Sequence, residues 1–289
     1  MNQNIFEQLQ PVFDRIPDAV THQNEEQLKR LNDYHWFFRL APLPKPEATN
    51  AEQWFAEEFA STAEAFCRSL DTKPAFAMPE WQKLVNATIF PALVMHRLRY
   101  RRVLKLSLSD LSMTIGDNHK VSSISINHRV GFYCLNDDRL SEQGQIVDNE
   151  EQLDIALAKV IEKLGSEMEP YFRQQKIHPK LFWANILYAC GLAFTKLSEQ
   201  PIQTSNDAIN TESLNQWLET LSRMVYAKGA KLNSVQGVKA KGFQQFFIRR
   251  ETCCLKYKIG TKAKCDVCNL ISLEHQQQQH HRDLSRRLD

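Results

Sequence analysis

The chain has 289 residues, 43% hydrophobic and 24% charged, with seven cysteines and a net charge of +2. These are globular values; they exclude a mostly disordered chain and leave length for one large domain or two small ones. The longest apolar runs, "ATIFPALVM" and "LFWANILYACGLAF", are too short or too polar to span a bilayer. The opening "MNQNIFEQLQPVFDRIPDAV" lacks the basic, apolar and small-residue regions of a signal peptide, so the expected compartment is the cytosol. Clustered cysteines there stay reduced and bind metal more often than they pair.

Residues 1–40 read as helical, and the Pro-punctuated "APLPKPEATN" connects them to a helix capped by Asn50 with Gln53 three residues on. That helix has an apolar face of Trp54, Phe55, Phe59, Phe66 and Leu70. A further helix is expected around 80–100, kinked or restarted at Pro91. The period then changes to two. Leu104, Leu106 and Leu108 alternate with polar residues, and the alternation resumes out of phase at Leu111, Met113 and Ile115, which predicts a bulge at Ser109–Asp110. "GDNH" marks a turn before Val121, Ile124 and Ile126, and "RVGFYCL" reads as another strand.

From Asn149, a cap paired with Gln152, the chain is helical again: Leu153, Leu157, Val160, Ile161, Leu164 and Met168 make one stripe, with Pro170 ending or bending it. Residues 179–199 are apolar on nearly every face and predict a buried central helix. "PIQTSNDAINTE" reads as a loop, and Leu214, Trp217, Leu218, Leu221 and Val225 as an amphipathic helix. "KGAKLNSVQGVKAKG" has no helical period, and "EHQQQQHHRDLSRRLD" reads as a frayed helix or a disordered tail. The fold class is α+β, predominantly helical, with a small antiparallel hairpin or sheet near 103–134. No G-x-G-x-x-G after a strand and no P-loop is present, which argues against a Rossmann-type flavin or nicotinamide site.

Charge and thiols are concentrated at one end. Residues 228–289 carry 13 Lys/Arg against 5 Asp/Glu, a balance of +8, so residues 1–227 carry −6. Within the basic part, "RRETCCLKYKIGTKAKCDVC" holds Cys253, Cys254, Cys265 and Cys268, the number and type of ligands for a four-thiolate metal site. Structural zinc and an iron–sulfur cluster both use such a set. Neighbouring side chains of extended backbone diverge, so an adjacent pair meets one small ion only where the backbone turns sharply, whereas a two-iron cluster presents two metal corners. That favours [2Fe–2S] over zinc. Arg249, Arg250, Lys256, Lys258, Lys262 and Lys264 would offset the negative charge of such a cluster, the reduced state most, and raise its potential. Lys262 and Lys264 read equally well as solvated surface.

"RRETCCLKYK" with a closing "CDVC" resembles the C-terminal signature of the FhuF-type ferric-siderophore reductases, which end in Arg-Arg-x-x-Cys-Cys-Leu-x-Tyr followed at this distance by Cys-x-x-Cys. The resemblance covers 249–270 closely; "HPKLFWANILYA" at 178–189 is similar in character only, and Asn269 stands where the family often has Pro. It implies a [2Fe–2S] cluster on Cys253, Cys254, Cys265 and Cys268 and one-electron, outer-sphere reduction of ferric iron in a siderophore of the hydroxamate class. The implied setting is cytoplasmic, with at most peripheral contact with the inner membrane. Electrons would come from an external donor such as a ferredoxin or an NAD(P)H-dependent reductase. The implied layout is a siderophore-accommodating α-rich body at 1–232, a cluster segment at 233–270 and a polar tail at 271–289.

Other residues have plainer readings. Cys67, Cys134 and Cys190 read as buried thiols, and Trp183 as core before it reads as the wall of a siderophore cleft. His275, His280 and His281 read as a solvated tail. Arg97, Arg99, Arg101 and Arg102 read as a solvated basic face, with an anionic siderophore or acidic donor as the sharper alternative. His128 and Arg129 follow the hairpin, where a substrate role is conceivable. The competing functions are a binding or regulatory protein with a four-cysteine zinc site and an iron–sulfur redox sensor. No helix-turn-helix pattern, second Cys-x-x-Cys knuckle or aromatic–basic interleaving supports nucleic-acid binding.

Overall fold

The structure is a computed structural model that describes residues 5–16, 23–38, 40–127, 130–138, 141–200, 202–204, 209–260 and 263–289, with Phe6 and Ala230 as backbone only. His128, Arg129 and Lys262 lie outside the described residues. The fold is α+β and predominantly helical, with small sheets.

Helices α1 (Ile5–Phe13) and α2 (Asn24–Tyr34) open the chain, followed by β1 (Thr49–Asn50). The Asn50 side chain accepts from the Gln53 amide at 3.2 Å and starts α3 (Ala51–Glu57). The single helix expected here breaks at Glu58 into α3 and α4 (Phe59–Ser69). The break lets both pieces press aromatic rings onto α5 (Pro74–Tyr100): Trp54 stacks on Trp81 at 5.5 Å, and Phe59 meets the same ring edge-on. Helix α5 runs without interruption through Pro79 and Pro91, so the expected restart at Pro91 does not occur. Its residues from Ala77 to Leu98 are mostly buried, and packing on all sides outweighs the backbone bonds the two prolines remove.

The Leu104–Leu106–Leu108 alternation is not one strand. Leu104 ends β2 (Arg102–Leu104), and Leu108 opens a 3₁₀ turn that replaces the predicted bulge. The turn is closed locally, the Ser107 amide donating to the Asp110 carboxylate at 2.8 Å. Strands β3 (Leu111–Ile115) and β4 (Val121–Ile126) form the predicted antiparallel hairpin; its register shift falls at Thr114/Ile115. β1 adds to its edge. β5 (Phe132–Leu135) pairs antiparallel with β2 and parallel with β6 (Gln145–Val147) in a second sheet.

Helix α6 (Glu150–Gln174) starts at Asn149, which accepts from the Gln152 amide at 3.0 Å, and it passes Pro170 by a full turn. Helix α7 (Pro179–Leu197) is the buried central helix and packs along α5. β7 (Ile202–Gln203) and α8 (Thr211–Val225) follow.

The glycine-containing stretch is strand β8 (Asn233–Ala240), which pairs along its whole length with β9 (Phe243–Arg250). Their connection, Lys241–Gly242, has φ of 49° and 78°, the two-residue turn whose twist suits a hairpin. Alternation then divides the hairpin's faces. Val235, Phe246 and Ile248 enter the main core, while Val238, Ala240 and Phe247 form a second small core with Leu284. That second core is covered by α9 (Leu273–Arg287), which corrects the expectation of a frayed or disordered tail. Its polar composition belongs to the outer face; Gln276 and Leu284 are buried. Among the described residues no helix is long and apolar enough to cross a membrane.

Candidate metal centre

Strand β9 delivers Arg249 and Arg250 to the base of the cysteine loop. The Arg250 amide donates to Val267 O at 3.2 Å and the Glu251 amide to Leu232 O at 2.9 Å. The first bond ties the two ends of the loop together, which puts Cys253–Cys254 opposite Cys265–Cys268. The Cys268 amide donates to Cys265 O at 2.9 Å, closing the second pair into a turn.

Cys254 and Cys268 are buried, and Cys253 and Cys265 are half-buried. The Sγ atoms of Cys254 and Cys265 lie 3.8 Å apart. Leu255, directly after the adjacent pair, has φ 61° and ψ 6°, a left-handed conformation costly for a leucine. It turns the chain so that its own amide donates to Cys253 Sγ at 3.4 Å and the next amide, of Lys256, to Cys254 Sγ. The sharp turn needed for adjacent thiolates to share one small ion is therefore present, and adjacency alone does not separate zinc from a cluster. Among the described residues, no group of three or more His, Cys, Asp and Glu side chains is gathered tightly enough to hold one metal ion.

The thiols nonetheless feel one another. Cys254 is pulled down to about 4, first by the hydrogen bond it accepts from the Cys265 thiol, then by the Lys83 and Arg250 cations and the Lys256 amide against the cost of burial. Cys265, as donor in that bond, is pushed up by it and by burial. The two sulfurs lie close enough to share one proton. Cys253 is raised by burial and by the charges of Cys268 and Cys254, with the Leu255 amide opposing. Sulfur donors, amide donors aimed at sulfur and nearby cations together suit an anionic thiolate-bound group.

The predicted cations play unequal parts. Arg250 is buried, with its guanidinium 4.5 Å over the Tyr188 ring and Nε donating to Thr252 O at 3.4 Å. Arg249 donates from Nη1 to Ile271 O at 3.3 Å and to Gln276 Oε1 at 3.1 Å. Gln276 in turn donates to Cys268 O at 2.7 Å, so α9 anchors the second cysteine turn. Lys258 and Lys264 are exposed and Lys256 is half-buried, a basic rim beside the half-exposed thiols.

Several residues at the site were not foreseen. Lys83 of α5, paired with Glu80 at 2.9 Å, acts on both Cys254 and Cys265 although it lies in the net-acidic part of the chain. Tyr188 of α7 is pushed up to about 12 by burial, against Arg250 and with the charges of Cys265, Cys254 and Asp266 adding. Gln276 is one of four consecutive glutamines, and only its helical phase with His280 and Leu284 sets it apart.

The remaining predicted residues sort as follows. Cys67, Cys134 and Cys190 are buried, each thiol raised chiefly by burial. Trp183 is core, stacked on Tyr226 at 5.8 Å and donating to Glu169 at 3.1 Å. The arginine run is no solvated face. Arg97 is fully buried against Glu150 and Asp154 at 2.8 and 2.9 Å, and Arg102 is buried against Asp138. Only Arg101 is exposed, and it too is paired, with Glu150 and Asp137. His275 and His281 are exposed, but His280 lies flat on Phe247 at 4.1 Å. In comparisons with known proteins, no family model matches the chain and no match is found among curated proteins.

Proposed function

We propose that Cys253, Cys254, Cys265 and Cys268 hold a [2Fe–2S] cluster and that the protein reduces siderophore-bound ferric iron, of the hydroxamate class, in the cytoplasm. The observation that carries the reading is the approach of the two cysteine pairs within one amide- and cation-lined loop, with the Cys254 and Cys265 Sγ atoms 3.8 Å apart and two of the four thiols half-exposed at the surface. The likeness of "RRETCCLKYK" and "CDVC" to the ferric-siderophore reductase signature supplies the substrate class. When bound, the cluster supplies single electrons at nearly constant geometry.

This chain's own residues would do the rest. The Leu255 and Lys256 amides donate to sulfur and stabilise added negative charge. Arg250 compensates that charge from within, and Lys256, Lys258 and Lys264 attract an anionic ferric complex from outside. Ferric iron is hard and held tightly by oxygen chelators; the ferrous ion is held far more weakly, so one electron opens the chelate. No side chain is required as a general acid or base, and the electrons come from an external donor such as a ferredoxin or an NAD(P)H-dependent reductase.

The test is anaerobic purification or reconstitution, followed by visible and electron paramagnetic resonance spectra. A red-brown protein, bleached by dithionite and reoxidised by a ferric hydroxamate with Fe(II) caught by a ferrous trap, supports the reading. Colourless protein with stoichiometric zinc would replace it with a structural zinc site. A cluster inert to ferric chelates but quickly oxidised by peroxide or nitric oxide would make the protein a redox sensor.

A further inference from the structure

Behind the cysteine loop runs a buried chain of polar side chains. Arg250 Nη2 donates to Asn185 Oδ1, Asn185 Nδ2 donates to Gln82 Oε1 at 2.9 Å, and Gln82 Nε2 donates to Phe182 O at 3.0 Å. Gln82 and Asn185 are wholly buried and Arg250 is 1% exposed. The order of donors is dictated by chemistry. A guanidinium only donates, so Asn185 must present its oxygen to it and its NH₂ to Gln82. Gln82 must then offer its oxygen to Asn185 and its NH₂ to a carbonyl, which Phe182 supplies. Neither amide can flip without leaving a buried donor facing a donor.

The chain thus has one direction and one end, the cation. It joins the two central helices α5 and α7 to the last residue of β9, and Arg250 Nε continues it to the Thr252 carbonyl, immediately before Cys253. Filling the space at 82 and 185 does not by itself call for amides, so packing alone does not account for them. What the amides do is hold a buried charge at a fixed place.

We infer that Asn185 and Gln82 are positioning residues for the thiol site: through Arg250 they fix both the shape of the Thr252–Cys254 turn and the charge behind it. The electrostatic half of this rests on the cluster reading above; the structural half does not.

Two variants separate the halves. Asn185→Asp keeps an acceptor for Arg250 and neutralises the cation, at the cost of the donor to Gln82. It should retain cluster content while weakening the reduction equilibrium about tenfold, 59 mV for one electron, in a titration followed by electron paramagnetic resonance. Asn185→Leu removes the acceptor and should speed amide hydrogen exchange across 252–258 at least about tenfold in the metal-free protein. Trp217→Phe, which lies outside the chain of bonds and gives up a hydrogen bond to Asp154, serves as a destabilised control and should leave that segment's exchange unchanged. If Asn185→Leu does not fold, Gln82→Met breaks the same chain one residue further from the cation. An unchanged potential in Asn185→Asp, or exchange at 252–258 no faster than in the Trp217 control, overturns the inference. Should the unaltered protein take up no cluster, the functional reading falls, and the exchange comparison still decides the positioning role.

Discussion

His96 offers a quantitative test of the buried polar architecture around α5. Its side chain is fully enclosed, and its Nδ1 lies 3.2 Å from the Arg102 carbonyl. A carbonyl only accepts, so Nδ1 carries the hydrogen and Nε2 is a bare acceptor with no partner among the described residues. Protonation would place a second cation beside Arg102 with nothing to receive its new N–H. The imidazole is accordingly pulled down to about 3, by burial first, with the Arg102 charge adding and the carbonyl bond and Asp138 opposing. The folded value lies below the unfolded one, so between them the unfolded chain takes the proton and the folded protein does not. Stability is complete above about pH 6.5 and is lost as the pH falls toward 3.

Integrating that difference from pH 7 to pH 5 gives a loss of about 2 kcal/mol. The assay is urea unfolding at the two pH values for the unaltered protein and for His96→Asn, whose amide can still donate to the Arg102 carbonyl. The unaltered protein should lose about 2 kcal/mol more than the variant over this interval. His280, also lowered by burial, titrates in both proteins and cancels. Glu199, held down to about 2, contributes only below the ordinary carboxylate range and so outside the window. Equal losses in the two proteins would refute the reasoning, because the imidazole would then be charged or solvated in the fold.

Three further outcomes are expected. Serine at Cys253, Cys254, Cys265 or Cys268 should each lower iron and sulfide content, whereas Cys67→Ser, Cys134→Ser and Cys190→Ser should retain it; loss at one of the last three with retention at Cys254 would show the ligand set to be wrong. Lys258→Gln with Lys264→Gln should slow oxidation of the reduced protein by an anionic ferric chelate and flatten its salt dependence, while a neutral chelate is little affected; stopped-flow traces at two ionic strengths read this directly. Gly165→Ala, which in an exposed helix gains about 1 kcal/mol, should instead cost about 1–3 kcal/mol, since the new Cβ would lie 2.5 Å from the Trp183 ring, itself held by Tyr226 and Glu169. A raised melting temperature would mean that this ring has room to move.

Elements with a strong period were legible and those set by distant partners were not. The α6 stripe, the α8 face and the β3–β4 hairpin follow from local pattern, as does the buried α7, whose apolar residues leave no exposed face. The break at Glu58 was hidden because both halves carry the same aromatic stripe, and the rings that reward bending it, Trp81 of α5 and Tyr171 and Phe172 of α6, lie far along the chain. The continuity of α5 through Pro91 was hidden for the opposite reason: the local penalty is plain, and the packing that offsets it comes from other helices. Strand β8 was obscured by Ser234, Gln236 and Gly237, which weaken the alternation. Its signal was the Lys241–Gly242 turn, read together with the apolar run after it. Helix α9 looked like a tail because the residues it turns inward, Leu273, Gln276, His280, Leu284 and Leu288, are spaced one turn apart in a polar sequence.

The thiol site teaches a related lesson about charge. The cysteines were legible because their spacing is local, and the cations around them were judged by the same local rule. That rule misplaced the field. Of the foreseen cations, Arg250 points inward and is held by the Asn185 amide of α7, itself bonded to Gln82 of α5, and Arg249 serves as an anchor for α9. Lys83, from a segment whose net charge is negative, acts on Cys254 and Cys265. The same reversal occurs at 97–102, where four arginines in six residues look like an anion site and are spent on Glu150, Asp154, Asp137, Asp138 and the Ile16 carbonyl. An arginine run in sequence is a surface field only where the fold leaves it without carboxylates. The charge that bears on a redox centre is set by burial and direction, because a cation in the interior is screened far less than one on the rim. If the loop holds the proposed cluster, Arg250 should therefore weigh more on its potential than Lys258 and Lys264 together, although the sequence offers all three as equals.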